Sequence, residues 1–211
     1  MNTKYLYLGL LSLTATSGMA ATDSPEAETR KNERPNILFI LSDDHTSQAW
    51  GIYGGILAEY AQNRNIRRLA EEGVTLDNCF CTNSISTPSR AAILTGRYSH
   101  RNGVYTLEDT LDTALPTIAT ALQASGYHTG LVGKWHLGMD WQKTDPDTVL
   151  NDDVFNKVSP LPDWGLDYDK PIQNGPTAKG FDYFFGLTAS LDQPPYVFIE
   201  NDLPTCHPTK T

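Results

Sequence analysis

"RPNILFILSDDH", Arg34 to His45, decides the fold. Ile37 to Leu41 is an unbroken apolar run bounded by Pro35 on one side and by two acids on the other. A run so short and so apolar has the pattern of a strand covered on both faces, and predicts a central parallel strand. Working outward, "NRNIRRLAEEG" (Asn63–Gly73) places Ile66, Leu69 and Ala70 on one helical face with Gly73 as its stop. "VTLDNCFC" (Val74–Cys81) alternates like a second strand. "PTIATALQASG" (Pro116–Gly126) reads as an amphipathic helix with proline early and glycine at its end. "YHTGLVGKWH" (Tyr127–His136) reads as a strand, and "FDYFFG" (Phe181–Gly186) and "YVFIEN" (Tyr196–Asn201) resume that pattern. The order strand, helix, strand, helix, helix, strand argues for an α/β domain with a mostly parallel sheet.

The rest of the chain sets bounds. Its 211 residues, 39% hydrophobic, are enough to bury a core. Residues 1 to 20 hold one basic residue, Lys4, an apolar segment around Tyr5 to Leu13, and the small residues Gly18 and Ala20, the layout of a secretory signal peptide too short to span a bilayer. Residues 21 to 34 form a polar linker, and residues 35 to 211 the folded part. The expected location is therefore the periplasm or the exterior, with no permanent membrane span. Losing Lys4 takes the formal charge from −9 to −10, which gives no general attraction to nucleic acid. Cys79 and Cys81, two apart in a predicted strand, are badly placed to bond to each other; with Cys206 they read as structural, or as cysteines whose partners lie beyond this stretch of sequence. Beyond Asp140 comes a long stretch rich in Asp, Pro and Gly, of the kind that carries function or covers a site.

Polar residues converge at strand ends. Asp43 and Asp44 end the first predicted strand, where open α/β sheets place ligand sites. Adjacent carboxylates can grip a hard cation, calcium or magnesium, though by themselves they read first as a plain turn cap. Lys134 and His136, separated by two in a strand, share a face and make a cationic patch, while Trp135 faces the other way. "SISTPSRAAILTG" (Ser84–Gly96) reads as a capped helix start, with Ser86 or Thr87 at the cap and Ala91 to Leu94 buried. Arg90 adds a guanidinium near that helix end, so Ser86 stands where a nucleophile would meet a tetrahedral anion.

Three stretches together resemble the type I sulfatases, in the family's order. Ser84 to Gly96 is similar to the first signature, a Ser or Cys followed by x-Pro-Ser-Arg and a Leu-Thr-Gly end; Gly126 to His136 is similar to the second; and "PNILFILSDD" resembles the opening metal strand. The resemblance implies an alkaline phosphatase-like α/β sandwich, incomplete at the C-terminus, and a sulfuric ester hydrolase acting on a sulfated carbohydrate or aryl sulfate. It implies that Ser86 is converted to formylglycine by an anaerobic sulfatase-maturating enzyme. A hydrated aldehyde has two hydroxyls on one carbon, one to attack sulfur and one to expel sulfate afterwards. It further implies that Asp43, Asp44 and the modified Ser86 hold calcium, with magnesium an alternative. Arg90, Lys134 and His136 would then be catalytic and Ser190 a sulfate-contacting hydroxyl, though a loop cap accounts for Ser190 as well. His45, His100, His128 and His207 match no signature position.

The family continues well past this length and supplies further metal ligands, a lysine and a histidine from its later part, so these 211 residues are expected to be inactive alone. Two other readings stay open: a phosphonate or phosphodiester hydrolase of the alkaline phosphatase superfamily, and a non-catalytic sulfated-glycan binder. A conventional serine hydrolase lacks its G-x-S-x-G elbow here.

Overall fold

A four-stranded sheet in the order β1-β2-β3-β4 organises this computed structural model, which describes residues 34–61, 63–147, 165–190 and 193–208. The strands are β1 (Gly130–Lys134), β2 (Tyr183–Leu187), β3 (Phe198–Glu200) and β4 (Leu203–Pro204). The helices are α1 (Arg64–Glu72), α2 (Ser86–Thr95), α3 (Ser99–Asn102) and α4 (Ile118–Ala124). The chain divides into two units, Met1–Leu41 and Ser42–Thr211. The expected signal peptide and most of the linker lie outside the described residues, as does much of the Asp-rich stretch.

β1 and β2 run parallel in the register Lys134 with Leu187, whereas β2–β3 and β3–β4 are antiparallel, so the described sheet is mixed. The parallel pair brings the carboxyl ends of β1 and β2 to one edge, which sets Lys134 beside the segment that follows Leu187. Behind the sheet Trp135, Phe184, Ile199, Leu137 and Val104 are all but fully buried, joined by Ala91 of α2 and Ala119 of α4. The Trp135 indole meets Phe181 edge-on at 6.4 Å and donates to the Gly138 carbonyl at 2.7 Å. Anchoring the residue after Lys134 in this way fixes where β1 ends.

Local chemistry accounts for the helices. Thr117 caps α4 in a reciprocal box: its hydroxyl accepts from the Thr120 amide while the Thr120 hydroxyl accepts from the Thr117 amide. That same Thr117 hydroxyl donates to the carbonyl of Lys179, tying α4 to the turn before β2. Lys179 is 1% exposed; its Nζ donates to the Leu111 carbonyl at 2.6 Å, and burial lowers its pKa against the attraction of Asp112 and Asp140. α1 is charged against its own dipole, with Arg64, Arg67 and Arg68 early and Glu71 and Glu72 last. Each such inversion costs about 0.3–1 kcal/mol at an exposed site.

Two predicted strands are not strands. Ile37 to Leu41 has no sheet partner among the described residues, and its side chains are 45% to 85% exposed. Val74 to Cys81 is irregular, with Val74, Leu76 and Phe80 exposed, and Cys79, Cys81 and Cys206 are all free and exposed. A strand is completed by a neighbour, so β-propensity without a pairing edge leaves only an extended apolar segment. No helix of the described residues is long and apolar enough to cross a membrane.

Candidate active site

Ser86 is the first residue of α2, one position inside the helix; Ile85, with extended backbone, occupies the cap and offers it no side chain. The expectation that Ser86 or Thr87 would be the cap is therefore corrected. The next residue, Thr87, turns inward, is fully buried and donates to the Leu107 carbonyl. With no capping bond to make, the Ser86 hydroxyl faces the end of β1. It accepts from Lys134 Nζ at 2.8 Å and donates to Asp43 Oδ1 at 3.1 Å.

Lys134 distributes its three N–H donors over three oxygens: Asp43 Oδ2 at 2.6 Å, Ser86 Oγ at 2.8 Å and Ser190 Oγ at 3.4 Å. Arg90, one turn after Ser86 on α2, sets Nη2 against Asp43 Oδ1 at 3.1 Å and donates through Nη1 to the Lys134 carbonyl at 2.9 Å. One arginine thus holds both the carboxylate and the end of the strand that carries the lysine. The two cationic side chains are 13% and 15% exposed, the Asp43 side chain 36%. Desolvation pushes the Asp43 carboxyl upward, but hydrogen bonds from Lys134 and Arg90 and the fields of both cations outweigh it and hold the pKa down to about 2.

Ser190 reaches the group because the parallel register delivers the chain after Leu187 to the Lys134 side. Its carbonyl accepts from the Gln193 amide, and its hydroxyl accepts from the lysine. His136 departs from its expected placement. β1 stops at Lys134, and His136 has φ +58°, so strand alternation does not set its direction; it is 5% exposed and its amide donates to the Thr188 carbonyl at 2.8 Å. Asp44 also has a left-handed backbone, φ +53°, and is exposed, with no side-chain bond among the described residues. The four other histidines are exposed.

Gly133 and Gly186 were not singled out by sequence reasoning. They face each other across β1 and β2 so closely that a Cβ on Gly186 would overlap the Gly133 carbonyl oxygen. Glycine inside a strand pattern is the signal that marks such an approach.

This arrangement defines a class: an α/β protein in which, at the carboxyl end of a parallel strand, a hydroxyl on a helix start meets two cations and one carboxylate. The Sulfatase family model matches residues 35–207, and the chain belongs to that family. It is 44% identical over 142 residues to an N-acetylglucosamine-6-O-sulfatase of Bacteroides thetaiotaomicron, covering 67% of this chain and 24% of that protein. An N-acetylgalactosamine-6-O-sulfatase of the same organism is 35% identical over 82% of this chain and 30% of its own length. Human steryl-sulfatase is 39% identical over 77% and 25%. A solved structure titled as a complex with its substrate D-glucosamine-2-N,6-O-disulfate superposes with TM-score 0.54 at 33% identity, covering 81% of this chain and 28% of that one. These relatives have the alkaline phosphatase-like fold, and the chain spans about a quarter of their length.

Proposed function

We propose that this chain carries the nucleophile-bearing part of an exported sulfatase that hydrolyses sulfate esters of carbohydrates through Ser86, converted to formylglycine by an anaerobic sulfatase-maturating enzyme. The observation that carries this reading is the position of Ser86 Oγ between Lys134 Nζ and Asp43 Oδ1. An unmodified serine needs a base to become nucleophilic. Neither neighbour serves as one: Lys134 is engaged as a donor to the hydroxyl and to the Asp43 carboxylate, and a carboxylate with a pKa of about 2 holds a proton poorly at neutral pH. The group suits an anion being held, not a serine being activated. Formylglycine supplies the missing chemistry when formed, because its hydrate carries one hydroxyl to attack sulfur and another to release sulfate.

Asp43, Asp44 and Ser86 would hold a divalent cation, calcium or magnesium. Their donors fit such an ion in kind, being oxygens only, with Asp43 ionised at any physiological pH. In number they fall short of the roughly 6–8 oxygens calcium takes, since the described residues hold no group of three acidic, His or Cys side chains able to bind a metal. The balance must come from elsewhere in the whole protein, which is why the isolated 211 residues are expected to be inactive. The ion, when bound, polarises a sulfate oxygen and favours the ionised form of the attacking hydroxyl.

The chain's own residues do the rest. Asp43 orients the Ser86 hydroxyl. Lys134 and Arg90 offset charge on the transferring group in a half-buried setting, where fixed cations act more strongly than in water. Ser190 offers a hydroxyl on the far side of Lys134, and His136 a ring for a sulfate oxygen. The names of the two bacterial relatives favour a 6-O-sulfated N-acetylhexosamine within the carbohydrate class.

The test is a mass spectrum of the tryptic peptide Leu69 to Arg90 from protein made in its own host. Loss of two hydrogens at Ser86 supports the reading, and an intact serine overturns it. Turnover of an aryl phosphate diester in preference to an aryl sulfate would move the reaction to the phosphodiester hydrolases.

A further inference from the structure

We infer that the outer face of α1, built by Arg64, Arg67 and Arg68, is a second anion-binding surface, which grips sulfate groups of a polymeric glycan away from the group at Ser86. The identity of the partner rests on the sulfated-carbohydrate reading above; the existence of the surface does not. Arg64, Arg67 and Arg68 stand at i, i+3 and i+4, hence on one helix face within about 6 Å of axial rise. All three are exposed and line a surface groove of about 260 Å³ with Asn65 and Glu71. Among the described residues only Arg68 of the three has an ion partner, Glu72 at 3.7 Å, and both members of that pair are 68% exposed. Arg64 and Arg67 face solvent with no carboxylate engaged among the described residues.

Two features set this face apart from scattered surface charge. The chain carries a formal charge of −9, so three arginines in five residues run against its composition. They also sit at the positive end of the helix dipole and repel one another at i, i+3 and i+4, which is unfavourable for α1 taken alone. An oxyanion on this face removes both penalties. Guanidinium groups bind tetrahedral oxyanions through paired N–H donors, and several on one turn suit a polymer with repeated sulfates rather than one small ester. None of the residues bonded around Ser86 belongs to α1, so the surface is distinct from that group.

The test uses the intact matured protein, with a highly sulfated polysaccharide such as heparin as probe, against neutral dextran and single-stranded DNA. The triple variant R64Q/R67Q/R68Q should bind the sulfated polymer about ten-fold more weakly. The slope of log K against log salt should fall by about 2, since each cation paired with a single-stranded polyanion contributes roughly 0.7 to it. E71Q, which removes the acid on the same face, should bind the polymer more tightly. Turnover of a monomeric aryl sulfate should be unchanged in both variants. Unaltered polymer binding by the triple variant overturns the proposal. So does tighter binding of DNA than of the sulfated polymer, or loss of monomer turnover in the triple variant. If neither parent nor variant turns over the monomer while the polymer-binding difference stands, the reading at Ser86 fails and the α1 surface survives.

Discussion

Replacing Asp43 with asparagine removes the one negative charge that Lys134 and Arg90 share, and the structure fixes what that costs. The new side chain could still accept from Lys134 through its oxygen, but its amide N–H₂ would then point at the Arg90 guanidinium, donor against donor. A carboxyl held at about 2 against an ordinary 3.8 corresponds to at most about 2.4 kcal/mol at neutral pH. With 36% of the side chain exposed, solvent screening removes half of that or more. Breaking a fully buried pair costs about 3–5 kcal/mol and an exposed one under about 1, and cations 13% and 15% exposed lie between. The expected loss is about 1–2 kcal/mol, read by urea unfolding at neutral pH in chelator. Because the folded pKa is depressed, the contribution is complete above pH 3.8 and disappears as pH falls through about 2, so parent and D43N should converge in acid. In an R90Q background the same substitution should cost less, by about 0.5–1 kcal/mol of coupling. A D43N protein as stable as its parent at neutral pH, or a difference that persists below about pH 2, would refute the ion group as drawn.

Three other expectations follow from the same structure. A divalent cation must compete with Lys134 and Arg90 for both oxygens of Asp43, so K134M should bind calcium more tightly than the parent by titration calorimetry, while losing any sulfatase turnover of the whole enzyme. Buried Lys179 has a pKa below the ordinary 10.5, so the folded state binds fewer protons there than the unfolded one and stability should rise as pH climbs towards 10.5; in K179M that alkaline gain should vanish from the thermal midpoint. G186A would drive a methyl into the Gly133 carbonyl and part β1 from β2, at a cost of about 3 kcal/mol or more, and should abolish the Lys134 hydrogen bonds together with turnover; G130A, where the nearest atom is 3.9 Å away, should be far milder.

What was legible in the sequence is what short range decides. Pro116 and Gly126 bracket α4 as the sequence implies, and the alternation around Lys134 and Trp135 sends one side chain towards Asp43 and Ser86 and the other to the core. Ile37–Leu41 and Val74–Cys81 failed because a strand is a relation between two segments, and composition describes only one. For His136 alternation does not apply: it lies past the end of β1 with a positive φ, where strand periodicity no longer sets a side chain's direction. The site itself shows the limit most clearly. From residue types alone Asp43 is read as a cation ligand and Arg90 and Lys134 as anion ligands, two separate duties. Yet Asp43 and Lys134 are 91 residues apart in sequence and 2.6 Å apart in the fold, and without another ion between them opposite charges that close neutralise each other. The acid and the bases are therefore one group whose members are held ready by pairing. Under the proposed reading, a cation and a sulfate arriving together would exchange that internal pair for two external ones with little change in local charge.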